Sequence, residues 1–360
     1  QGMEERVVDT DAHYYEPADD IGEYLAEPWR TRVLDAWKDA DSMMTSLFPG
    51  STGDQEVYGR IQRQELETSS GRGLRSPGDV PLAMEHVGAD VCILLSHRML
   101  SFARLKGEDD RQVVLANGYV DYMLDQLVDP DAGIYTMVPA PIKDPEAAVE
   151  LIDRVADERG VVGVVLVTPG AEPPLGNRRY DGIYEAAEGH GLPVVFHGGG
   201  ASLDYFYIKG YEKFIETHTL GFMLNNAAQL TSIVVQGVPE KFPDLDIVFQ
   251  ESGVFWVATM MHRLDAEYMK RQSEAPLLRK RPSEYMQEFY YGTQPMEQPR
   301  DPQHLAWLFE MIGGPDRLLY TSDYPHWDYD PPSVIRKQPF LSDEEKAKIL
   351  GGNAAEVFGV

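Results

Sequence analysis

The stretch VVDTDAHYYEP, residues 7–17, joins a short apolar run to a carboxylate and an imidazole two positions apart. In a β-strand, residues two apart point to the same face, so Asp11 and His13 would both aim at one place just beyond the strand end. A carboxylate and an imidazole placed in this way can hold a metal ion. The first predicted strand therefore indicates a metal site at its carboxyl end.

Seven further apolar runs follow along the chain, and helix-like segments separate most of them. Several runs are β-branched and nearly unbroken by polar residues, which is typical of strands covered on both faces in a parallel sheet. Eight such strands alternating with helices predict the α/β class, with one (β/α)8 TIM-like barrel domain spanning residues 1–360. An open doubly wound sheet is the alternative, but the first strand is not followed by a glycine-rich phosphate loop. The predicted strands are residues 6–10, 90–95, 134–138, 161–167, 193–196, 246–250, 289–291 and 317–321.

The predicted helices have recognisable ends. Asp144 precedes a proline as an N-cap, and Gly160 is the predicted stop of that helix. An apolar helix is predicted over residues 220–235. Near the C-terminus, Ser342 and Glu345 form a capping box at the start of two short helices.

Two segments interrupt the regular alternation of strands and helices. Residues 17–88 are rich in turn-forming residues and too long for a simple crossover, so they are predicted to form a partly helical excursion over the mouth of the barrel, either a lid or a dimer arm. Residues 259–288 are predicted to form a helical insertion after the sixth strand, with several basic residues on an otherwise acidic protein. Both insertions offer surfaces for association, and we expect a homodimer because dimers are the commonest soluble assembly.

The composition bounds the class of protein and its partners. With 43% hydrophobic residues in 360, the chain can bury a large core. Its 59 acidic and 32 basic residues give a formal charge of -27, which would repel phosphate backbones and makes nucleic acid an unsuitable partner. A surface this acidic favours adaptation to high salt, the alternative being an acidic mesophilic protein. Without a long apolar run, a secretory leader or a second cysteine besides Cys92, we expect a cytoplasmic protein that does not enter membranes.

Polar residues occur at the carboxyl ends of four predicted strands, which is where barrels of this type carry their active sites. Asp11 and His13 end the first strand, His197 ends the fifth, Glu251 follows the sixth and Asp323 follows the eighth. Mixed nitrogen and oxygen ligands suit a divalent ion such as Zn or Mn, and the absence of thiolates argues against a structural zinc site. The strand ends therefore predict one metal site at the mouth.

These motifs also carry a family resemblance over nearly the whole chain. The segments concerned are DTDAHYYEP, RRYDGIYEAAEGHGLPVVFHGG, EKFPDLDIVFQESGVFWV, LLYTSDYPHWD and ILGGNAAEVFG. The sequence resembles the amidohydrolase superfamily, in the branch of aminocarboxymuconate semialdehyde decarboxylase and γ-resorcylate decarboxylase. The resemblance implies a distorted (β/α)8 barrel with one divalent metal ion, Zn in the first place or Mn, bound by Asp11, His13, His197 and Asp323. Glu16, by the same resemblance, is expected to accept a hydrogen bond from His13, the alternative being a solvated loop carboxylate.

The chain departs from the better-known decarboxylases of this family after strand 6. In the first strand many relatives have His-x-His, and an acidic residue in the first position, as Asp11 here, occurs in some of the decarboxylases. The better-known decarboxylases carry a proton-transferring histidine after strand 6, in a His-x-Gly context, where this chain has QESG. Glu251 then replaces that base, becomes an extra metal ligand, or orients loops. As a carboxylate near the metal, it could deprotonate a metal-bound water, which favours hydrolysis.

Further candidates surround the predicted site. Asp323, His326 and His218 are candidates for proton transfer or for orienting the site. Arg98 or Arg104 could clamp a substrate carboxylate, although either could equally be a surface ion-pair partner. Tyr291 and Trp327 belong to an aromatic rim that would suit a planar or apolar substrate.

Three functions remain open from the sequence. The preferred hypothesis is a metal-dependent hydrolase, in which a metal-activated water attacks a carbonyl of a small aromatic or apolar substrate. The alternative is a metal-dependent non-oxidative decarboxylase of an aromatic or unsaturated carboxylic acid. The third is a non-catalytic binder on a reused barrel.

Overall fold

The apolar runs predicted as strands form a single eight-stranded parallel sheet, in which each strand pairs with the next one along the chain. The structure is a computed structural model that describes residues 5–32, 34–35, 74–100, 109–199 and 213–360. The strands are β1 Val8–Tyr14, β2 Val91–Ser96, β3 Ile134–Pro139, β4 Val161–Val167, β5 Val194–His197, β6 Ile247–Gln250, β7 Tyr290–Gly292 and β8 Leu318–Leu319.

The sheet curls into a nearly closed barrel, and the seam lies between β8 and β1. The predicted eighth strand, residues 317–321, is shortened to two residues, so closure comes from backbone hydrogen bonds beyond β8. The Thr10 N–H donates to the Tyr320 carbonyl (3.2 Å), and the His13 N–H donates to the Tyr324 carbonyl (2.8 Å). The Asp323 N–H also donates to the carbonyl of Asp11 at 2.8 Å. These bonds bring the ends of the first and last strands together at the mouth.

Helices surround the barrel between the strands, as the alternation predicts. Asp144 caps its helix by accepting from the Ala147 N–H (3.1 Å), and the helix ends at Val155, before Gly160. The capping box of Ser342 and Glu345 is confirmed. The helices are α1 Ala18–Gly22, α2 Asp79–Val87, α3 Asp109–Gln126, α4 Pro145–Val155, α5 Asp181–Gly189, α6 Phe214–Val235, α7 Val238–Lys241, α8 Phe255–Arg271, α9 Pro282–Met286, α10 Pro302–Met311, α11 Ser333–Arg336, α12 Asp343–Ala347 and α13 Asn353–Phe358.

The two predicted insertions are only partly described. The segment 259–288 contains most of α8 and all of α9, so it is helical. Most of the predicted lid at 17–88 lies outside the described residues, as does Arg104. Among the helices of the described part, none combines the length and the apolar character needed to cross a bilayer.

The core has two layers because successive strand residues face opposite sides of the barrel wall. One cluster lies between the strands and the surrounding helices, and it includes the stacked rings of Phe196 and Phe249, whose centroids are 4.9 Å apart. The other cluster fills the barrel below its mouth with Ile93, Val195 and Val248, and α13 closes it from the amino end of the strands. This apolar filling leaves the carboxyl end of the barrel for polar side chains.

A change of register within β1 determines which of its residues face inward. Val8 belongs to the inner cluster, whereas Ala12 belongs to the outer one, and the pairing with β2 shifts between Asp9 and Ala12. The carboxylate of buried Asp9 accepts from the Asp11 N–H (3.2 Å) and from the Ser322 N–H (2.8 Å), which stabilises the irregularity. Because of this shift, the inward face passes from even to odd positions along the strand.

Candidate metal centre

Five buried side chains from the ends of β1, β5, β6 and β8 meet at the mouth of the barrel. His197 Nε2 lies 3.0 Å from Asp11 Oδ1 and 2.8 Å from Glu251 Oε2. His13 Nε2 lies 3.3 Å from Asp11 Oδ1 and 2.9 Å from Asp323 Oδ1. All five side chains are at most 5% exposed, so the cluster is shielded from solvent.

The candidate ligands form two overlapping groups. Within the first, one ligand atom from each of Asp11, His13, His197 and Glu251 lies within 4.8 Å of all the others. The second group consists of His13, Asp323 and His326 by the same distance. The four ligands expected from the family resemblance are therefore near neighbours, with Glu251 beside three of them.

Several atoms of the cluster have no hydrogen-bond partner within the described residues. They are Asp11 Oδ2, both ring nitrogens of His13 and Glu251 Oε2, all buried. Buried polar atoms are ordinarily paired, so several unpaired atoms at one point call for an additional partner. Carboxylate oxygens and imidazole nitrogens are ligands of Zn and Mn. This donor set fits a divalent cation.

His197 is oriented as a metal ligand would be. Its Nδ1 lies 2.7 Å from the carbonyl oxygen of Gly198, an acceptor only, so Nδ1 carries the proton. In the neutral ring, Nε2 then presents its lone pair to the carboxylates of Asp11 and Glu251. Fixing the tautomer through a backbone carbonyl is a common way of orienting a metal-binding histidine.

The carboxylates and imidazoles shift the pKa values of one another. Burial by itself lowers the pKa of His13, but Asp11 and Asp323 outweigh it and raise that pKa to about 10. In the same way, Glu251 and Asp11 raise the pKa of His197 well above its usual value. Burial raises the pKa of Glu251 to about 7, opposed by His197 and aided by Asp323. The negative charge of the surrounding carboxylates favours protons on the two imidazoles, and it would favour a bound cation for the same reason.

Two residues of the cluster have an unusual backbone conformation. Glu251 has φ 61° and Asp323 has φ 63°, and in the described part of the chain they are the residues other than glycine with positive φ. This region costs non-glycine residues about 1 kcal/mol or more and persists where surrounding contacts impose it. Glu251 immediately follows β6, Asp323 lies four residues after β8, and the conformation directs both carboxylates into the mouth.

The end of β2 supplies a site residue that the sequence analysis missed. His97 Nδ1 lies 3.1 Å from His326 Nε2, and His326 Nδ1 lies 2.6 Å from Asp323 Oδ1. A signal for His97 is present in the sequence, because it continues the odd-numbered, inward-facing positions Ile93 and Leu95 of β2. Applying the strand-end rule to the second strand would have found it.

The structure corrects the expected contact of Glu16. Its carboxylate accepts from the Ser96 hydroxyl and from the Arg98 N–H (3.3 Å), and the described residues show no hydrogen bond from it to His13. Glu16 faces away from His13 because side chains alternate along a strand, and Glu16 continues the outward-facing positions Ala12 and Tyr14. The Arg98 side chain donates Nε–H to the Glu16 carbonyl at 3.1 Å.

Tyr291 also faces away from the mouth. Its ring is buried in the outer layer near Phe249, and its hydroxyl donates to the Met286 carbonyl at 2.6 Å. The predicted place of Tyr291 on the rim is therefore wrong, because the alternation in β7 turns Tyr290 inward and Tyr291 toward the helices.

His218 and Trp327 lie together near the barrel mouth rather than in the cluster. Their ring centroids are 5.5 Å apart, and Phe222 packs against the other side of His218 at 5.0 Å. His218 Nε2 lies 3.5 Å from Asp328 Oδ2. These contacts join the start of α6 to the segment after β8.

Burial raises the pKa of Glu16 to about 7, against a hydrogen bond from Ser96 and the charge of Arg98. The unfolded carboxyl ionises near 4.5, so the folded protein binds more protons between pH 4.5 and about 7. Stability therefore falls as the pH rises through this window, by roughly 3 kcal/mol. We expect Glu16→Gln to remove this loss, measured by urea unfolding at pH 5 and pH 8. The exposed Glu185→Gln serves as control, and equal pH dependence in wild type and Glu16→Gln would contradict the expectation.

A family model described as an amidohydrolase matches residues 94–360, which is most of the chain. The protein therefore belongs to the amidohydrolase family, and the family resemblance of the sequence is confirmed.

Similar proteins with a named activity are decarboxylases. The chain is 22% identical over 246 residues to the γ-resorcylate decarboxylase of Polaromonas sp. strain JS666, covering 66% of this chain and 74% of that protein. The 5-carboxyvanillate decarboxylase LigW of Sphingomonas paucimobilis has a similar structure, with a TM-score of 0.73, 19% identity, and 99% and 100% of the two chains covered. The dihydroxybenzoic acid decarboxylase of Polaromonas sp. JS666, solved with bound manganese and the inhibitor 2-nitroresorcinol, has a TM-score of 0.68, 17% identity, and 99% and 97% covered.

These similarities correct the preferred function from the sequence. Hydrolysis was the favoured prediction, whereas the similar proteins with named activities are decarboxylases of aromatic acids. The error has a chemical cause. Imidazoles and carboxylates around one divalent ion can serve either reaction, so the ligand types do not distinguish the two.

Proposed function

We propose that the protein is a metal-dependent, non-oxidative decarboxylase of a hydroxylated aromatic carboxylic acid. The observation that carries the proposal is the buried cluster, in which ligand atoms of Asp11, His13, His197 and Glu251 lie within 4.8 Å of one another. The decarboxylases of aromatic acids that share its fold support the reaction class.

We propose Asp11, His13, His197 and Asp323 as the residues that hold the ion, which we expect to be Zn or Mn. When bound, a divalent ion supplies positive charge that binds an anionic substrate and stabilises negative charge on it. Asp323 is held for this role on both oxygens, because its Oδ1 contacts His326 and its Oδ2 accepts from the Gln294 side chain at 3.1 Å.

Decarboxylation replaces a carboxylate by a proton on the same ring carbon. The carbon–carbon bond breaks, carbon dioxide leaves, the electron pair stays on the ring, and a proton is added there. We propose that Glu251 transfers this proton from Oε2, because that oxygen faces the cluster and is only 2.8 Å from His197 Nε2. Burial of the cluster excludes the bulk water that would otherwise compete for the proton.

We propose that substrate contacts come from residues near the rim. Arg98 is placed at the end of β2 and could bind a carboxylate, and the Trp327 ring beside His218 could pack against a planar substrate.

The single domain over 1–360, the lid formed by 17–88 and the homodimer remain proposals from the sequence.

The direct test is release of carbon dioxide from hydroxylated benzoates, including 2,6-dihydroxybenzoate and 5-carboxyvanillate. We expect one carbon dioxide per ring product, a loss of at least about tenfold after treatment with a chelator, and recovery with Mn²⁺ or Zn²⁺. Circular dichroism before and after chelation checks that the fold survives. Full turnover in chelated protein, or hydrolysis of esters and lactones without any release of carbon dioxide, would contradict the proposal.

A further inference from the structure

Three side chains form a continuous hydrogen-bonded chain at the rim of the candidate metal centre. Asp323 Oδ1 lies 2.6 Å from His326 Nδ1, and His326 Nε2 lies 3.1 Å from His97 Nδ1. Asp323 and His326 are buried, whereas His97 is half-buried at the end of β2. His97 is thus the outer member of a chain that leads to the cluster from a different strand.

The direction of these hydrogen bonds follows from which atom of each pair can only accept. The ionised carboxylate of Asp323 only accepts, so His326 must donate from Nδ1. A neutral His326 then has its lone pair on Nε2, and His97 must donate to it from Nδ1. Burial lowers the pKa of His97 well below its usual value, so His97 is neutral and carries one proton.

Ring stacking holds both histidines in the orientation that these hydrogen bonds need. The His326 ring stacks on His13 with centroids 4.3 Å apart and an interplanar angle of 22°. On the other side, Tyr15 stacks on His97 at 4.2 Å and 28°. The stacks fix the planes of the rings, but a ring turned by half a turn about its Cβ–Cγ bond lies in the same plane and would fit the same stack. On the side of His326 that faces away from Asp323, the hydrogen bond from His97 is the contact that depends on where the ring nitrogens lie.

We propose that His97 is a positioning residue, which donates Nδ1–H to His326 Nε2 and so keeps His326 in the tautomer that donates Nδ1–H to Asp323. His97 is linked to Asp323 only through His326, so it acts on Asp323 indirectly. The expected effect of His97 on turnover rests on the proposed decarboxylase function. The proposed hydrogen-bond arrangement does not depend on that function.

Two substitutions separate the hydrogen bond from the ring. His97→Phe keeps a ring for the stack on Tyr15 and removes both nitrogens. His97→Asn places an amide near the position of Nδ1, so it can still donate to His326. His190→Phe is the matched control, because His190 is exposed, pairs with Asp153 at 2.8 Å and lies outside the cluster.

The first measurement is nitrogen NMR of histidine-labelled protein loaded with Zn²⁺, which is diamagnetic. In the wild type we expect His97 protonated on Nδ1 and bare on Nε2, and His326 protonated on Nδ1. His97→Phe should shift the ring nitrogens of His326, while His97→Asn should leave them protonated as in the wild type. A wild-type His97 protonated on Nε2, or His326 signals unchanged in His97→Phe, would overturn the proposal. The wild-type tautomer decides the question even if a variant fails to fold.

The second measurement is the kinetics of carbon dioxide release. We expect His97→Phe to lower kcat about 10- to 100-fold with KM changed by less than about threefold, and His97→Asn to recover most of the loss. His190→Phe should leave both constants unchanged. Equal impairment by phenylalanine and asparagine, or an unaffected kcat in His97→Phe, would overturn the positioning role. If the wild type decarboxylates none of the acids, the proposed function fails, and the NMR comparison still decides the role of His97.

Discussion

Replacing His197 with glutamine is expected to remove the metal ion and to lower turnover by at least about a thousandfold. The ring presents Nε2 to Asp11 at 3.0 Å and to Glu251 at 2.8 Å, and its Nδ1 is tied to the Gly198 carbonyl at 2.7 Å. A glutamine amide has no neutral nitrogen lone pair to offer a cation. The substitution also leaves two buried carboxylates facing each other without the imidazole, which weakens the site further.

Elemental analysis of purified protein and the rate of carbon dioxide release together test this expectation. His190→Gln is the control, because that histidine is exposed and bonded to Asp153. We expect about one ion per chain in the wild type and in the control, and less than about a tenth in His197→Gln. Retention of a full complement of metal by His197→Gln would show that this residue is not a ligand.

Glu251→Gln is expected to keep the metal and still lose turnover by about 10²- to 10⁴-fold, the usual contribution of a positioned proton donor. The amide has the same shape as the carboxyl group but cannot deliver an acidic proton. Glu251 stands where the better-known decarboxylases of the family resemblance carry a histidine, so its loss would remove the proton donor that we propose after strand 6. The positive φ of 61° directs its carboxylate into the mouth.

The same two measurements distinguish the possible roles of Glu251. Loss of metal from Glu251→Gln to the extent expected for His197→Gln would make Glu251 a ligand, and unchanged turnover would exclude it from proton transfer. Glu297→Gln is a suitable control, because Glu297 accepts from the Val254 N–H at 3.1 Å and is not a member of the cluster. We expect this control to keep both its metal and its turnover.

Much of the barrel could be predicted from the sequence because its strands are buried on both faces. Runs rich in β-branched residues and free of polar side chains, such as VVGVVLV in β4, have few alternatives to a central parallel strand. The eighth strand was harder to predict, because its length depends on how the chain meets β1 across the seam rather than on its own residues. Its two-residue extent and the backbone bonds beyond it are consequences of closure.

The candidate ligands were predictable for a similar reason. Asp11, His13, His197 and Asp323 all follow apolar runs, and parallel strands in a barrel bring their carboxyl ends to one rim. The missed and misplaced residues depend instead on which way single side chains face. His97 faces inward at the end of β2, while Glu16 and Tyr291 face outward, and one residue of register decides each case.

The sequence by itself determined the eight-stranded parallel barrel, the family, and the rim on which the acids and imidazoles lie, because hydrophobic periodicity and strand order are local properties of the chain. Only the tertiary structure decided which side chains meet there. The register shift between Asp9 and Ala12 turns Asp11 and His13 inward, and contacts between strands far apart in the chain join His97 to His326. Such contacts depend on side-chain direction and closure, which no single segment specifies.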